Sequence, residues 1–181
     1  MAKYLVTGGA GFIGSNAAKK FIADGHDVVI FDNLSRVGVE RNLDWLKTFG
    51  QFTFIKGDVR NFEEMNHLFL NHKFNVILHL AAQVAVTSSV SNPREDFESN
   101  ALGAFNLLEA VRLSGQNPAI IYSSTNKVYG GMENENIIID GNGYTFGGRP
   151  EGINEQYPLD FHSPYGCSKG AADQYFRDYA R

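Results

Sequence analysis

A chain of 181 residues, 43% hydrophobic and 20% charged, has enough apolar material for one buried core and too little length for two comfortable domains. Acidic residues outnumber basic ones by 20 to 16, the basic residues are scattered, and a net charge of −4 offers no surface to nucleic acid. No apolar run reaches the ~20 residues that span a bilayer, and the N-terminus lacks the basic-then-apolar order of a signal peptide, so a cytoplasmic protein without a membrane partner is expected.

Cys167 is the single cysteine, which excludes an internal disulfide. It reads as a small helix-packing residue or as a nucleophile without an evident partner. The histidines show no pair at helical spacing, so no metal site is expected.

Lys3 to Thr7 reads as a short buried strand, followed at once by Gly8-Gly9-Ala10-Gly11-Phe12-Ile13-Gly14. From Gly9 this is G-x-G-x-x-G between a strand and a helix, the context that the dinucleotide fingerprint requires. The glycines permit a tight turn and let backbone N–H groups approach a pyrophosphate at the helix N-terminus. The helix is expected to turn Phe12, Ile13, Ala17 and Phe21 to one side and to stop at Asp24-Gly25.

Val28 to Asp32 is an apolar strand ending in an acid, placed to hydrogen-bond the adenosine ribose and to repel a 2′-phosphate. NAD is therefore favoured over NADP, although Arg36 is the residue type that a 2′-phosphate would want. The alternation continues with a helix over 39–48, a strand from Phe52 to Ile55, and a helix opened by the capping-box pair Asn61 and Glu64. Val76 to Leu80 forms the next strand, Asn92-Pro93 opens a long helix that Gly115 closes, and Ala119 to Tyr122 is the fifth strand.

Five strands alternating with helices predict an α/β fold, a Rossmann-type doubly wound parallel sheet. Ligands bind beyond the carboxyl ends of such strands. There Asp58 and Val59 are placed to meet an adenine edge, and Ala81 and Ala82 are small enough for close backbone approach. Residues 131–162 break the pattern, are rich in Gly and Asn, and are expected to be a long loop over the site, or else a flexible insertion.

The last stretch, Ser163 to Arg181, sets Tyr165 and Lys169 one helical turn apart on one face. Ser163 can cap the helix and Pro164 suits its first turn, so the pair lies near the positive end of the macrodipole. A neighbouring cation favours phenolate, which makes Tyr165 a candidate general base.

Six motifs occur in order: Thr7 to Gly14, Asp32-Asn33-Leu34-Ser35, Gly57-Asp58-Val59-Arg60, His79-Leu80-Ala81-Ala82, Ser123-Ser124-Thr125 with Val128-Tyr129-Gly130, and Tyr165 with Lys169. Together they resemble the extended short-chain dehydrogenase/reductases that modify nucleotide sugars. Within that family, Ser123 to Gly130 and Asp160 to Tyr175 are most similar to the CDP-sugar 2-epimerases of the CDP-paratose and CDP-tyvelose type.

The resemblance implies a tightly held NAD and inversion at C2 of the sugar through a transient 2-keto intermediate. It implies Tyr165 as base, Lys169 bridging the nicotinamide ribose, and Thr125 on the reacting hydroxyl with Asn126 beside it. By the same resemblance, Gly8, Gly11, Phe12, Ile13, Gly14, Asn33, Ser35, Leu80, Asn100 and Ser123 accompany Asp32 and Arg36 at the cofactor.

Asn126-Lys127 stands where a sugar 4,6-dehydratase carries Asp-Glu, so elimination is not expected. A UDP-hexose 4-epimerase and an NAD-binding module without catalysis are the alternatives. Relatives are longer, so residues 1–181 are expected to form the NAD-binding domain with the substrate domain outside them. A homodimer or tetramer is expected by analogy.

Overall fold

Alternate residues of the central strands divide between two apolar cores, and that division builds the architecture. The computed structural model describes residues 1–141 and 143–181; Asn142, inside the segment expected to be a long loop, lies outside the described residues. Strands β1 (Lys3–Thr7), β2 (Asp27–Asp32), β3 (Thr53–Lys56), β4 (Val76–His79) and β5 (Ala119–Tyr122) form one parallel sheet in the order β3-β2-β1-β4-β5.

Leu5, Val29, Phe31 and Ile77 face one core with α3 (Phe62–Asn71) and α6 (Gly103–Ser114). Val6, Val28 and Ile30 face the other with α1 (Phe12–Ala23) and α2 (Glu40–Lys47). A period of two on strands covered on both faces is the physical basis of the expected doubly wound Rossmann-type sheet.

Local chemistry sets the helix ends. Asn61 accepts from the N–H groups of Glu63 and Glu64 at 3.1 and 3.4 Å and donates to Glu64 Oε1 at 2.8 Å, so the expected capping pair forms. Gly25 and Gly115 follow α1 and α6 in the left-handed region, at φ 79° and 67°.

Four features differ from expectation. The buried face of α1 is Gly14, Ser15, Ala18 and Ile22, while Phe12 and Ile13 are 82% and 64% exposed; the helix meets the sheet through its smallest residues because backbone lies against backbone there. The helix expected from Pro93 onward is α5 (Pro93–Phe97), a π turn (Glu98–Leu102) and then α6. A Cβ on Gly103 would lie 2.6 Å from Val59 Cγ2, so the helix can resume against Val59 only at a glycine.

A short helix, α4 (Val86–Ser91), precedes it and lacks the apolar period that would reveal it. The 131–162 segment holds an antiparallel pair, β6 (Ile137–Asp140) with β7 (Gly143–Phe146), and none of its described residues lines the cleft described below. Ile137, Ile138 and Ile139 are exposed, so strand propensity and not burial organises the pair. No described helix is long and apolar enough to cross a membrane.

Beneath the sheet's carboxyl edge, Thr7 Oγ1 accepts from the N–H groups of Leu80 and Ala81 at 3.2 and 3.3 Å. With both lone pairs used, its proton goes to His79 Nδ1 at 2.7 Å, leaving the buried imidazole as the Nε2–H tautomer. Burial pushes His79 down to about 3, and the Lys169 charge adds to the push.

Unfolded histidine titrates near ~6.5, so the unfolded chain takes up a proton that the folded chain refuses. The stability from the neutral imidazole is complete above that value and is lost as pH falls toward 3. About 2 kcal/mol of it is expected to disappear between pH 7.5 and 5. Urea unfolding at the two pH values reads this; equal midpoints would contradict it.

Candidate active site

The turn from β1 into α1 is built by glycine. A Cβ on Gly8, at φ 69°, would lie 2.7 Å from Ala81 N, and one on Gly14 would lie 2.4 Å from Gly8 O. Gly8 N donates to Phe31 O, Gly11 N to Gly8 O, and Ser15 N to Gly11 O, at 2.9, 3.1 and 2.9 Å. The turn is thereby sewn to β2 and leaves the start of α1 open to the cleft.

Asp32 completes the turn. Its Oδ2 accepts from Ala10 N at 3.0 Å and its Oδ1 from Leu34 N at 2.8 Å. Asn42, on α2, holds the same turn by donating to Ala10 O at 2.7 Å. Asp58 accepts from Arg60 and from Asn33 Nδ2, the latter at 2.9 Å. Burial alone pushes the Asp58 carboxyl up, but the hydrogen bonds from Arg60 and Asn33 prevail and hold it at about 2.

A cleft of about 1010 Å³ runs along the carboxyl edge of the sheet. It gathers most of the residues read from the sequence. The turn contributes Gly8, Gly11, Phe12, Ile13 and Gly14, and β2 contributes Asp32, with Asn33, Ser35 and Arg36 beyond it. Asp58, Val59, Leu80, Ala81 and Ala82 form the next wall, and Ser123, Tyr165 and Lys169 the far one.

Helix α7 (Ser163–Tyr179) brings in the last pair. Ser163, at φ 75°, accepts from Gly166 N at 3.2 Å, the bond expected of a capping serine. Tyr165 N donates to the buried Ser89 of α4 at 3.2 Å, which fixes the start of the helix. Lys169 is 4% exposed with its ammonium 4.3 Å from the Tyr122 ring centroid. Burial pushes it down to about 8, opposed by the charges of Asp173 and Asp96; it therefore remains mainly a cation at neutral pH.

Three expected site residues do not line the cleft. Thr125 caps a 3-10 turn (Asn126–Tyr129), accepting from Lys127 N at 3.3 Å, and Asn126 is exposed at the start of that turn. Asn100 is buried and spends its amide on others: it accepts from Gln83 N, and donates to Gln83 O and to Asp96 Oδ1, each at 3.0 Å. Its place is behind the wall, holding the Gln83 segment in position.

The sequence reading passed over Asn42, Glu95 and Ser99 and gave Gln83 no role, and all four line the cleft. Gln83 directly follows the Ala81-Ala82 motif, a signal that could have found it. Its Oε1 is buried without a partner among the described residues, an acceptor left for a ligand. A second hollow of about 750 Å³ lies against α3 and includes none of the glycine turn or the Tyr165–Lys169 pair.

A parallel sheet in this strand order, with a glycine turn and a Tyr-x-x-x-Lys pair on its carboxyl edge, defines a Rossmann-type protein of the extended short-chain dehydrogenase/reductase class. Residues 5–181 match the family model described as GDP-mannose 4,6 dehydratase, and the chain belongs to that family. It is 52% identical over 179 residues to a CDP-paratose 2-epimerase of Salmonella typhi, covering 99% of this chain and 53% of that protein.

Among solved structures it is similar to a UDP-Glc/GlcNAc 4-epimerase of Campylobacter jejuni, with a TM-score of 0.83 and 31% identity, covering 99% of this chain and 49% of that one. It is also similar to a Thermus thermophilus UDP-glucose 4-epimerase in complex with NAD, with a TM-score of 0.78 and 34% identity, covering 98% and 50%. The chain spans about half the length of these relatives.

Proposed function

We propose that residues 1–181 form the NAD-binding domain of a cytoplasmic nucleotide-sugar epimerase that inverts C2 of a CDP-sugar of the CDP-paratose or CDP-tyvelose type. The observation that carries the reading is the cleft, which joins a glycine turn with no room for a Cβ at Gly8, Gly9 or Gly14, an acid at the end of β2 and the Tyr165–Lys169 pair. The substrate class is supported by the 52% identity to the Salmonella typhi protein.

The residues present fit NAD. The open start of α1 suits a pyrophosphate, Asp32 suits the ribose hydroxyls of an unphosphorylated adenosine, and Gln83 Oε1 offers an unused acceptor. When bound, the nicotinamide supplies a hydride acceptor and donor for one sugar carbon. Tyr165 Oη takes the proton of the reacting hydroxyl and later returns it, and the Lys169 ammonium stabilises the phenolate. Thr125 reaches the sugar from the 3-10 turn. The working form is a homodimer or tetramer.

Purified protein is denatured and the released NAD(H) quantified by absorbance and mass spectrometry, and CDP-paratose and UDP-glucose are then offered as substrates. About one equivalent per chain is expected, and conversion of CDP-paratose alone by a chain extended to the length of its relatives. Turnover of UDP-glucose would favour a 4-epimerase, NAD without turnover a binding module, and a folded sample without NAD would overturn the reading.

One further result is expected at the cofactor. Asp32→Ala removes a charge-assisted acceptor from the ribose position, so NAD affinity should fall about 10- to 100-fold while NADP affinity falls less. Titration calorimetry with both dinucleotides measures the difference; an unchanged NAD affinity would take Asp32 out of the ribose site.

A further inference from the structure

Beyond β5 the chain runs Ser123-Ser124-Thr125 before the 3-10 turn, and the three hydroxyl residues are put to different uses. Ser123 lines the cleft and Thr125 caps the turn, whereas Ser124 faces α7 and donates to Asp173 Oδ2 at 2.5 Å. The acceptor is a carboxylate, which makes the bond one of the short and strong kind. Gly166, Lys169, Asp173 and Phe176 recur one helical turn apart and share a face of α7. That face meets β5 and the turn: a Cβ on Gly166 would lie 3.0 Å from Lys127 O, and the Lys169 ammonium and the Phe176 ring both lie against the Tyr122 ring. Among the described residues, the Ser124–Asp173 bond is the hydrogen bond that joins residues 123–125 to the helix.

We propose that Asp173 is a positioning residue: by holding Ser124, its carboxylate sets the segment that carries Ser123 and Thr125 against the helix that carries Tyr165 and Lys169. The inference rests on the reading of Thr125 and Tyr165 as the two residues at the sugar. A reaction served by groups on two separate elements depends on their spacing, and a misplacement of ~1 Å can cost ~100-fold in rate.

Neighbouring contacts hold other parts of the same region. Asp160 N donates to Val128 O at 3.0 Å, and a Cβ on Gly130 would lie 2.4 Å from Asp160 O, so the far end of the 3-10 turn is fastened there. Tyr122 Oη donates to Lys169 O at 3.3 Å and fastens the strand before the segment. Between these anchors Ser124 is the tie. Asp173 also stands one turn beyond Lys169; burial pushes that lysine down, and the Asp173 charge leads the two that resist. Action through charge alone is therefore the competing account. Ser124→Ala separates the two, because it removes the bond and keeps the charge.

The bond lies near solvent, where such pairs contribute little to global stability, so either partner can be replaced in a folded chain. In the 181-residue chain, Ser124→Ala and Asp173→Ala should each speed hydrogen exchange at the Lys127 and Val128 amides, which bond to Thr125, by about 10-fold. Exchange in β1 to β4 and the NAD affinity of Ser124→Ala should change little. Ser124→Thr, which keeps a hydroxyl, should restore most of the protection. The double variant should exchange no faster than either single one, the mark of two groups acting through one bond.

In a chain extended to the length of its relatives, Ser124→Ala should lower kcat for CDP-paratose by about 10-fold or more, with KM and NAD content nearly unchanged. Unmoved exchange in Ser124→Ala would overturn the proposal. So would a kcat that falls in Asp173→Ala and holds in Ser124→Ala, because Asp173 would then act by charge alone. An unmutated extended chain that holds NAD but leaves CDP-paratose unconverted would sink the C2 reading alone, and the exchange difference would still decide whether Asp173 ties the segment to α7.

Discussion

Gly14→Val is expected to abolish NAD binding, with a loss of affinity of at least about 100-fold. A Cβ at position 14 would lie 2.4 Å from Gly8 O and 2.7 Å from Gly9 Cα. Both neighbours are backbone, so no side chain can swing away. Relief must come from the turn itself, which is tied by its bonds from Gly8 N to Phe31 O and from Ser15 N to Gly11 O.

The strain should also cost about 1–3 kcal/mol of stability. Calorimetry with NAD and thermal unfolding measure the two effects on one sample. Affinity within a few-fold of the unmutated protein would mean that the turn does not approach the cofactor.

Tyr165→Phe is expected to leave NAD affinity intact and to reduce C2 inversion of CDP-paratose by about 10²- to 10⁴-fold, the contribution of a positioned general base. The substitution removes one hydroxyl and keeps the ring, and the bond that anchors the residue runs from its backbone N–H to Ser89. Helix α7 should therefore stay in place. The assay is run on the 181-residue chain and on a chain extended to the length of its relatives, with NAD content measured in each. Equal turnover by the variant would remove Tyr165 from the proton-transfer role; lost NAD would move its role to binding.

The two substitutions divide the cleft between them. On the proposed reading, Gly14 belongs to the end that grips, where the requirement is space, and Tyr165 to the end that reacts, where it is a proton at one atom. Lys169 joins them because it is buried in the core and still lines the cleft. A cation in such a place needs anions nearby, and Asp173, then Asp96, oppose its desolvation.

Sequence by itself determined the five strands, their alternation with helices, the glycine turn, Asp32 and the Tyr165–Lys169 pair. Each of these is a local pattern: a run of apolar residues, a spacing of glycines, an acid ending a strand, or one helical turn between two side chains. Local patterns survive in one dimension because neighbours in the chain produce them. The wall made of Ala81 and Ala82 was legible for the same reason, since small residues after a buried strand mark a close approach.

Only the tertiary structure decided the rest. Asn100 reads as a cofactor residue, and only the structure shows a π turn carrying it to the backbone of Gln83. Thr125 reads as a residue for the sugar, and only the structure shows that its hydroxyl also caps the 3-10 turn. Phe12 and Ile13 look like the buried face of α1 until Gly14 and Ala18 are found against the sheet. Asp96 is one acid among several near Pro93, and nothing local marks it as buried. What these residues do depends on partners far along the chain, and a one-dimensional pattern holds no record of which distant groups are brought together.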